Sequence, residues 1–276
     1  MKNDYLYNKE IDETYFRNIC DKKYEYLPTI LPPVNRIIGI GDIHGDLDLA
    51  INFLLVANVI TEINYDTFMN NINVSLKIPI ITTIEDFNKY SSNNNLKYRY
   101  FKWIGNDTYV VQVGDQIDRC RPSNNMKCDK PDATIEDENS DLIIMELFDD
   151  LHKAAKKCGG AVYSLIGNHE VMNFDGNFDY VSYKGINDYK QIKKSRNENF
   201  NKLREKFACT RNAIIIIGDF VFVHGGLASN LLSKYNVFEI NFIIRKYIYD
   251  KFKNFKSYIN DKNNKHDENY NTIKKI

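Results

Sequence analysis

Short apolar runs that stop at glycine alternate with amphipathic stripes along this chain. Residues 1 to 33 are mostly polar and aromatic and end in Leu31-Pro32-Pro33, which predicts an extended lead-in rather than a helix. Arg36 to Ile40 then predicts a short buried strand. It stops at Gly41-Asp42-Ile43-His44-Gly45-Asp46. Leu47, Ala50, Ile51, Leu54 and Leu55 follow at helical spacing. Strand, glycine turn and helix in that order open an α/β unit. Thr108 to Val113 predicts a second strand, again ending in Gly-Asp, and a polar loop from Cys120 to Asn139 follows. Residues 141 to 158 predict a helix with Ser140 as N-cap and Gly159 as its stop. Ala161 to Ile166 predicts a third strand, running straight into Gly167-Asn168-His169-Glu170. After a polar stretch at 174 to 212, Ile214–Ile217 and Phe220–Val223 flank Gly218-Asp219, the pattern of a hairpin with a two-residue turn. Its second strand ends in His224-Gly225-Gly226, and Ile240, Ile243, Ile244 and Tyr247 mark one more helix.

Residues 60 to 107 fit this rhythm least. They are Asn-rich, with weak strand patterns near Leu76 to Thr83 and Leu96 to Ile104, and read as an insertion between core elements. The last 25 residues are charged and Asn-rich and read as a frayed tail. The organisation expected is therefore an N-terminal extension at 1–35, a main domain at 36–250 carrying the 60–107 insertion, and a polar tail at 251–276.

Composition narrows the class. The 276 residues include 43% hydrophobic and 13% aromatic positions, too many for a disordered chain. Thirty-seven Lys+Arg balance thirty-seven Asp+Glu, which removes the simplest case for a nucleic-acid partner. No apolar run approaches the roughly 18 residues that span a bilayer, so no membrane partner is expected. Asparagine occurs 35 times, a bias that suggests an AT-rich genome such as that of a protist or a large DNA virus. The five cysteines form no C-x-x-C pair, and the start MKNDYLYNKE carries no apolar leader core. Both point to an intracellular, reducing, cytoplasmic setting without a disulfide framework; a local Cys120–Cys128 bridge is the one pairing left open.

The four predicted strand ends carry Asp42 and His44, Asp115 and Asp118, Asn168 and His169, and His224, all near glycine. In α/β sheets, sites form where the carboxyl ends of strands converge. Carboxylate, imidazole and amide oxygen together suit divalent Mn, Fe or Zn, and the absence of thiolate pairs argues against a structural zinc. Each segment alone reads as an ordinary capped turn. Four in succession, each at a strand end, do not.

With these residues in view, the chain resembles the calcineurin-like metallophosphoesterases, and among them the phosphoprotein phosphatases. The matching motifs are Gly41-Asp42-Ile43-His44-Gly45, Gly114-Asp115-Gln116-Ile117-Asp118-Arg119, Gly167-Asn168-His169-Glu170 and His224-Gly225-Gly226. The surroundings of Gly167 are most similar to the Shewanella-like branch. The resemblance covers about residues 36 to 250. It implies an α/β fold with a central β-sandwich flanked by helices, and two divalent ions, Mn and/or Fe or Zn. Asp42 and His44 would hold the first ion, Asn168 and His224 the second, and Asp115 would bridge them. His169 would be the general acid, oriented by Asp118, with Arg119 clamping phosphate and Glu170 supporting the ligands. Arg211 is a looser candidate for a second clamp. The activity implied is hydrolysis of phosphomonoesters on serine, threonine or tyrosine of proteins. A small phosphoester or dinucleotide polyphosphate, or a non-catalytic binding role, stays open.

One departure bears on this. The family pattern implies another ligand histidine on a strand downstream of His224. Only His266 follows, in the charged segment Asn264 to Glu268, and it reads as a solvated tail residue. The second sheet is accordingly expected to be incomplete at its C-terminal part. Truncation, a substitute ligand and loss of catalysis each account for this. Cys120, at a position usually glycine in the family, places a thiol beside Arg119.

Overall fold

The computed structural model describes residues 2–80, 96–191 and 196–258. Three three-stranded sheets are present among them. Strands β2 (Ile37–Ile40), β6 (Tyr109–Gln112) and β7 (Ala161–Ser164) form a parallel sheet in the order β2-β6-β7. A second sheet has the order β1-β8-β9, with β1 (Ile30–Leu31) parallel to β8 (Ile214–Ile217) and β9 (Phe220–Val223) antiparallel to it. The third joins β3 (Ile60–Ile63), β5 (Tyr98–Trp103) and β4 (Ser75–Pro79) in an antiparallel β3-β5-β4 order.

The alternation of strand side chains sorts the first two sheets into layers. Val110 and Val162 face helices α2 (Leu47–Val56) and α4 (Asp141–Lys156). Their neighbours Val111 and Tyr163 face the other way, against Ile215 and Ile217 of β8 and Phe222 of β9. Ile214 points outward again, to a cluster with α7 (Arg196–Thr210) and, beyond the short α8 (Ser229–Leu232), α9 (Val237–Tyr258). The order is helices, sheet, sheet, helices, and the β-sandwich flanked by helices is present as expected. The Ile217-to-Phe220 hairpin closes as predicted, with Gly218 at φ +58, the left-handed first position that a type II′ turn requires.

The described residues of the 60–107 segment pack onto this frame. Leu76, Ile78, Phe101 and Trp103 join the core cluster built by α2 and α4. The short helix α3 (Tyr65–Asn70), capped by Asn64, lies between β3 and β4. The end of the predicted 76–83 strand and the Asn93–Asn95 run fall outside the described residues, as does His266. The side chains of the last turns of α9 also fall outside them.

Several expectations need correction. The start of the chain is helical: α1 spans Lys2–Arg17, and Phe16 is fully buried against the second half of the protein. Buried Asp12 accepts hydrogen bonds from the Thr29 amide and hydroxyl, both at 2.7 Å, tying α1 to the segment before β1. The polar stretch at 174–212 folds into α6 (Tyr183–Gln191) and α7, which periodicity did not reveal. Ser140 occupies the N-cap of α4 but makes no capping bond; its side chain instead serves the Glu138 carboxylate.

The cysteine reading is also corrected. Cys20 is bonded to Cys209 across 189 residues, and Cys120 to Cys128 across 8. Cys158 is free and exposed. The first pair forms because α1 and α7 pack into one cluster, a contact that spacing along the chain does not encode. The cysteines therefore lend no support to a reducing compartment. No described helix is long and apolar enough to cross a membrane.

Candidate metal centre

The strand ends deliver their loops to one place. The loop after β2 is stitched to the loop after β6: the Ile43 and His44 amides donate to Asp115 O at 2.9 and 3.0 Å, and Gly45 N to Gln116 O at 2.9 Å. The loop after β6 is stitched in turn to α5 (Asn168–Asp175), which follows β7. The fully buried Glu170 accepts from Gly167 N, Asp115 N and Gln116 N at 2.8 to 2.9 Å. The loops meet so closely that a Cβ on Gly114, already at φ +102, would stand 2.5 Å from Gly167 N. His44, Asp115 and Asp118 all adopt left-handed backbone (φ 51, 54 and 70). Non-glycine residues rarely sit there unless their surroundings hold them, and such positions gather at functional sites.

Three imidazoles then converge on one oxygen. The Nε2 atoms of His44, His169 and His224 lie 4.0, 3.8 and 3.2 Å from Asp115 Oδ2. Each Nδ1 faces away, to Ile117 O at 3.3 Å, Asp118 Oδ2 at 2.9 Å and Val113 O at 3.1 Å. A histidine that gives its second nitrogen to a carbonyl or carboxylate has its tautomer and ring orientation set, the usual arrangement behind a metal-ligating imidazole. Asp42 lies between two of them, 3.4 Å from His44 Nε2 and 3.6 Å from His224 Nδ1. Asn168 Oδ1 is 2.9 Å from His224 Nε2.

These donors form two groups that share Asp115: His44, Asp115 and His169, and Asp42, Asp115 and His224. Within each, one potential ligand atom per residue lies within 4.8 Å of the others. The donor chemistry fits divalent ions: nitrogen and hard oxygen, with a shared carboxylate and exposure on the Asp42 side. Asp42 is within reach of both groups, 3.4 Å from His44 Nε2 and 3.6 Å from His224 Nδ1.

The electrostatics agree with a charged centre. Burial opposes ionisation of Asp115, yet hydrogen bonds from His224 and from the His169 amide hold its carboxyl below the usual range. The Asp115 hydrogen bond raises His224 to about 9. Burial also opposes charge on His169, but the bond to Asp118 prevails and raises its pKa. His44 is lowered, by burial first and by the nearby Arg121 next. Burial and the Asp115 charge push Glu170 up to about 7.

The flanking residues divide. Asp118 is fully buried beside His169, as the motif reading requires. Arg119 is engaged by two carboxylates, Asp46 at 3.0 Å and Glu138 at 3.2 Å. Arg211 is removed from the candidates: it is 1% exposed, bonded to Asp149 and Gln116 and stacked on Phe207. Sequence reading missed Arg121, whose guanidinium is held by Asp118 O and Cys120 O and whose charge reaches His44 and His169. The second Arg of Arg119-Cys120-Arg121 was its only sign. It also missed Tyr180, edge-on to His169 at 5.0 Å, and the buried trio Asp141, Asn173 and Arg196, which carried no motif.

The sequence profile of the calcineurin-like phosphoesterases matches residues 35–270, and the chain belongs to that family. It is 23% identical to Shewanella-like protein phosphatase 2 of Arabidopsis thaliana over 268 residues, covering 81% of this chain and 54% of that protein. It is 35% identical to an uncharacterised protein of Acanthamoeba polyphaga mimivirus over 128 residues, 39% of this chain and 51% of that one. The cold-active protein-tyrosine phosphatase of a psychrophilic Shewanella shares the fold, with a TM-score of 0.53 at 19% identity over 85% of this chain and 56% of its own. The chain thus spans about half the length of these relatives.

Proposed function

We propose that this protein hydrolyses phosphomonoesters, with phosphoproteins as the substrate class, at a centre of two divalent ions. The observation that carries the reading is the convergence of three Nε2 atoms on Asp115 Oδ2, each ring backed through Nδ1. Asp42, His44, Asp115, Asn168 and His224 would hold the ions, Mn, Fe or Zn, and Asp115 would serve both. Ions bound there would supply Lewis acidity toward a phosphoryl oxygen and lower the pKa of water.

The chain's own residues supply the rest. His169, whose affinity for a proton the Asp118 bond raises, can in its charged form donate the Nε2 proton to the departing alkoxide or phenoxide, and Asp118 steadies the ring as the proton leaves. Arg119 and Arg121 are the cations beside the centre. For Arg119 to bind phosphate through its planar fork, phosphate must displace Asp46 or Glu138. Glu170 holds three loop amides and thereby the spacing of the ligands.

Protein substrates are inferred from the names of the relatives, which are protein phosphatases. The mimivirus relative supports a viral source. The test is turnover of p-nitrophenyl phosphate and of phosphoserine, phosphothreonine and phosphotyrosine peptides with Mn²⁺ supplied. Asp115→Asn should lower kcat by at least roughly 1,000-fold and remove both ions, since one residue serves both groups. Wild-type turnover no higher than that of Asp115→Asn would reject the reading. Preference for dinucleotide polyphosphates over phosphopeptides would reject its protein-substrate part.

A further inference from the structure

A buried cation stands behind the Asp118–His169 pair, outside all four motifs. Arg196, the first residue of α7, is 3% exposed. Its Nη2 donates to Asp118 Oδ1 at 3.2 Å and to Asp141 Oδ2 at 2.6 Å, and its Nε donates to Asn173 Oδ1 at 2.7 Å. The guanidinium carbon lies 4.7 Å from the Phe200 ring centroid. Because Asn173 Oδ1 is occupied by Arg196, its amide nitrogen is turned toward Asp118, where it donates to both carboxylate oxygens at 2.9 and 2.8 Å. Asp118 Oδ1 is thus held by Arg196 and Asn173, and Oδ2 by Asn173 and His169 Nδ1.

We propose that Arg196 is a positioning residue: by clamping Asp118 directly and through Asn173, it fixes the His169 ring so that Nε2 faces the metal centre. The inference rests on the phosphomonoesterase reading for its kinetic consequence, but its geometric content does not. Taking three charged groups out of water is costly and is seldom repaid in stability alone. Here the arrangement fully buries Asp118 and sets its Oδ2 between Asn173 and His169 Nδ1. No single ammonium can reach Asp118, Asp141 and Asn173 together, so lysine is not an equivalent.

The test compares Arg196→Lys, and separately Asn173→Ala, with wild type on two substrates differing in leaving group. Proton donation matters most for a poor leaving group. Both variants should lose on the order of 10- to 100-fold in kcat on phenyl phosphate but under about 3-fold on p-nitrophenyl phosphate, with KM and ion stoichiometry unchanged. Equal losses on the two substrates would mark a purely structural role and overturn the proposal. A readout independent of turnover is long-range proton–nitrogen NMR of ¹⁵N-histidine in the metal-free protein. At a pH above the His169 transition, wild type should show the neutral His169 ring as one Nδ1-protonated tautomer, and the variants a mixture, with His152 unchanged as reference. An unaltered His169 signal in the variants would overturn the positioning role. The tautomer result without wild-type turnover would sustain the positioning role and reject the phosphatase reading instead.

Discussion

Asp115 concentrates the chemistry of this protein in one side chain. Its Oδ2 is approached by three imidazoles and its Oδ1 accepts the His169 amide at 2.9 Å. The most informative partner is His224. Its pKa, raised to about 9 by the Asp115 hydrogen bond, means that the ring carries a proton at pH 7 when no ion is bound. A ligating imidazole must be neutral, so an ion and this proton compete. Ion affinity should therefore weaken as pH falls below about 9, by up to tenfold per unit from this group. Calorimetry of Mn²⁺ binding in buffers of different ionisation enthalpy should show close to one proton released per chain from this residue at pH 7. The release should shrink above pH 9 and be absent in His224→Asn. Undiminished release in that variant would place the proton elsewhere.

At the scale of elements, the motif loops were readable because each is local: glycine, ligand and strand end lie within six residues. Helices α2 and α4 were readable from their stripes for the same reason. The N-terminal helix α1, the α6–α7 pair and β3 were not, and β4 and β5 showed only as weak patterns. Their apolar residues bury against partners far along the chain, so their own periodicity is weak. Phe101 of β5 illustrates this: it is fully buried, in one cluster with Leu147 and Leu151 of α4. We propose that the 60–107 segment folds with the rest as one unit. Phe101→Ala should then cost about 3–5 kcal/mol. Urea unfolding followed by Trp103 fluorescence and by far-UV circular dichroism should shift together. Separation of the two curves would mean that this sheet melts alone.

Across the whole molecule, the end of α1 with Cys20 just beyond it is tied to α7. Phe16, Cys20, Phe200 and Phe207 share one cluster, and the Cys20–Cys209 bond closes the longest loop among the described residues. Constraining so long a loop typically contributes about 2–4 kcal/mol by restricting the unfolded chain. Cys20→Ser/Cys209→Ser should therefore lower Tm by roughly 5–15 °C under non-reducing conditions. Wild type and the double variant should agree in dithiothreitol, which also opens the Cys120–Cys128 bond. Equal Tm values for oxidised wild type and the double variant would show that the bond contributes no stability. The same packing carries Arg196 to Asp118, so the N-terminal region and the candidate site depend on one helix.

The sequence by itself determined the candidate ligand types, their order, and their placement at strand ends, because those features are written in segments of three to six residues. It also determined the strand–turn–helix units, since apolar runs and glycine turns are local; the sandwich was implied only by the family resemblance those motifs carry. Only the tertiary structure decided how the ligands group around Asp115, and that Arg119 is engaged by Asp46 and Glu138. It alone buried Arg211, joined Cys20 to Cys209 and brought Arg196 to Asp118 from 78 residues away. The physical reason is the same in each case. Side-chain partners are chosen by which helices and sheets pack together, and packing depends on burial summed over the whole chain rather than on any one segment of it.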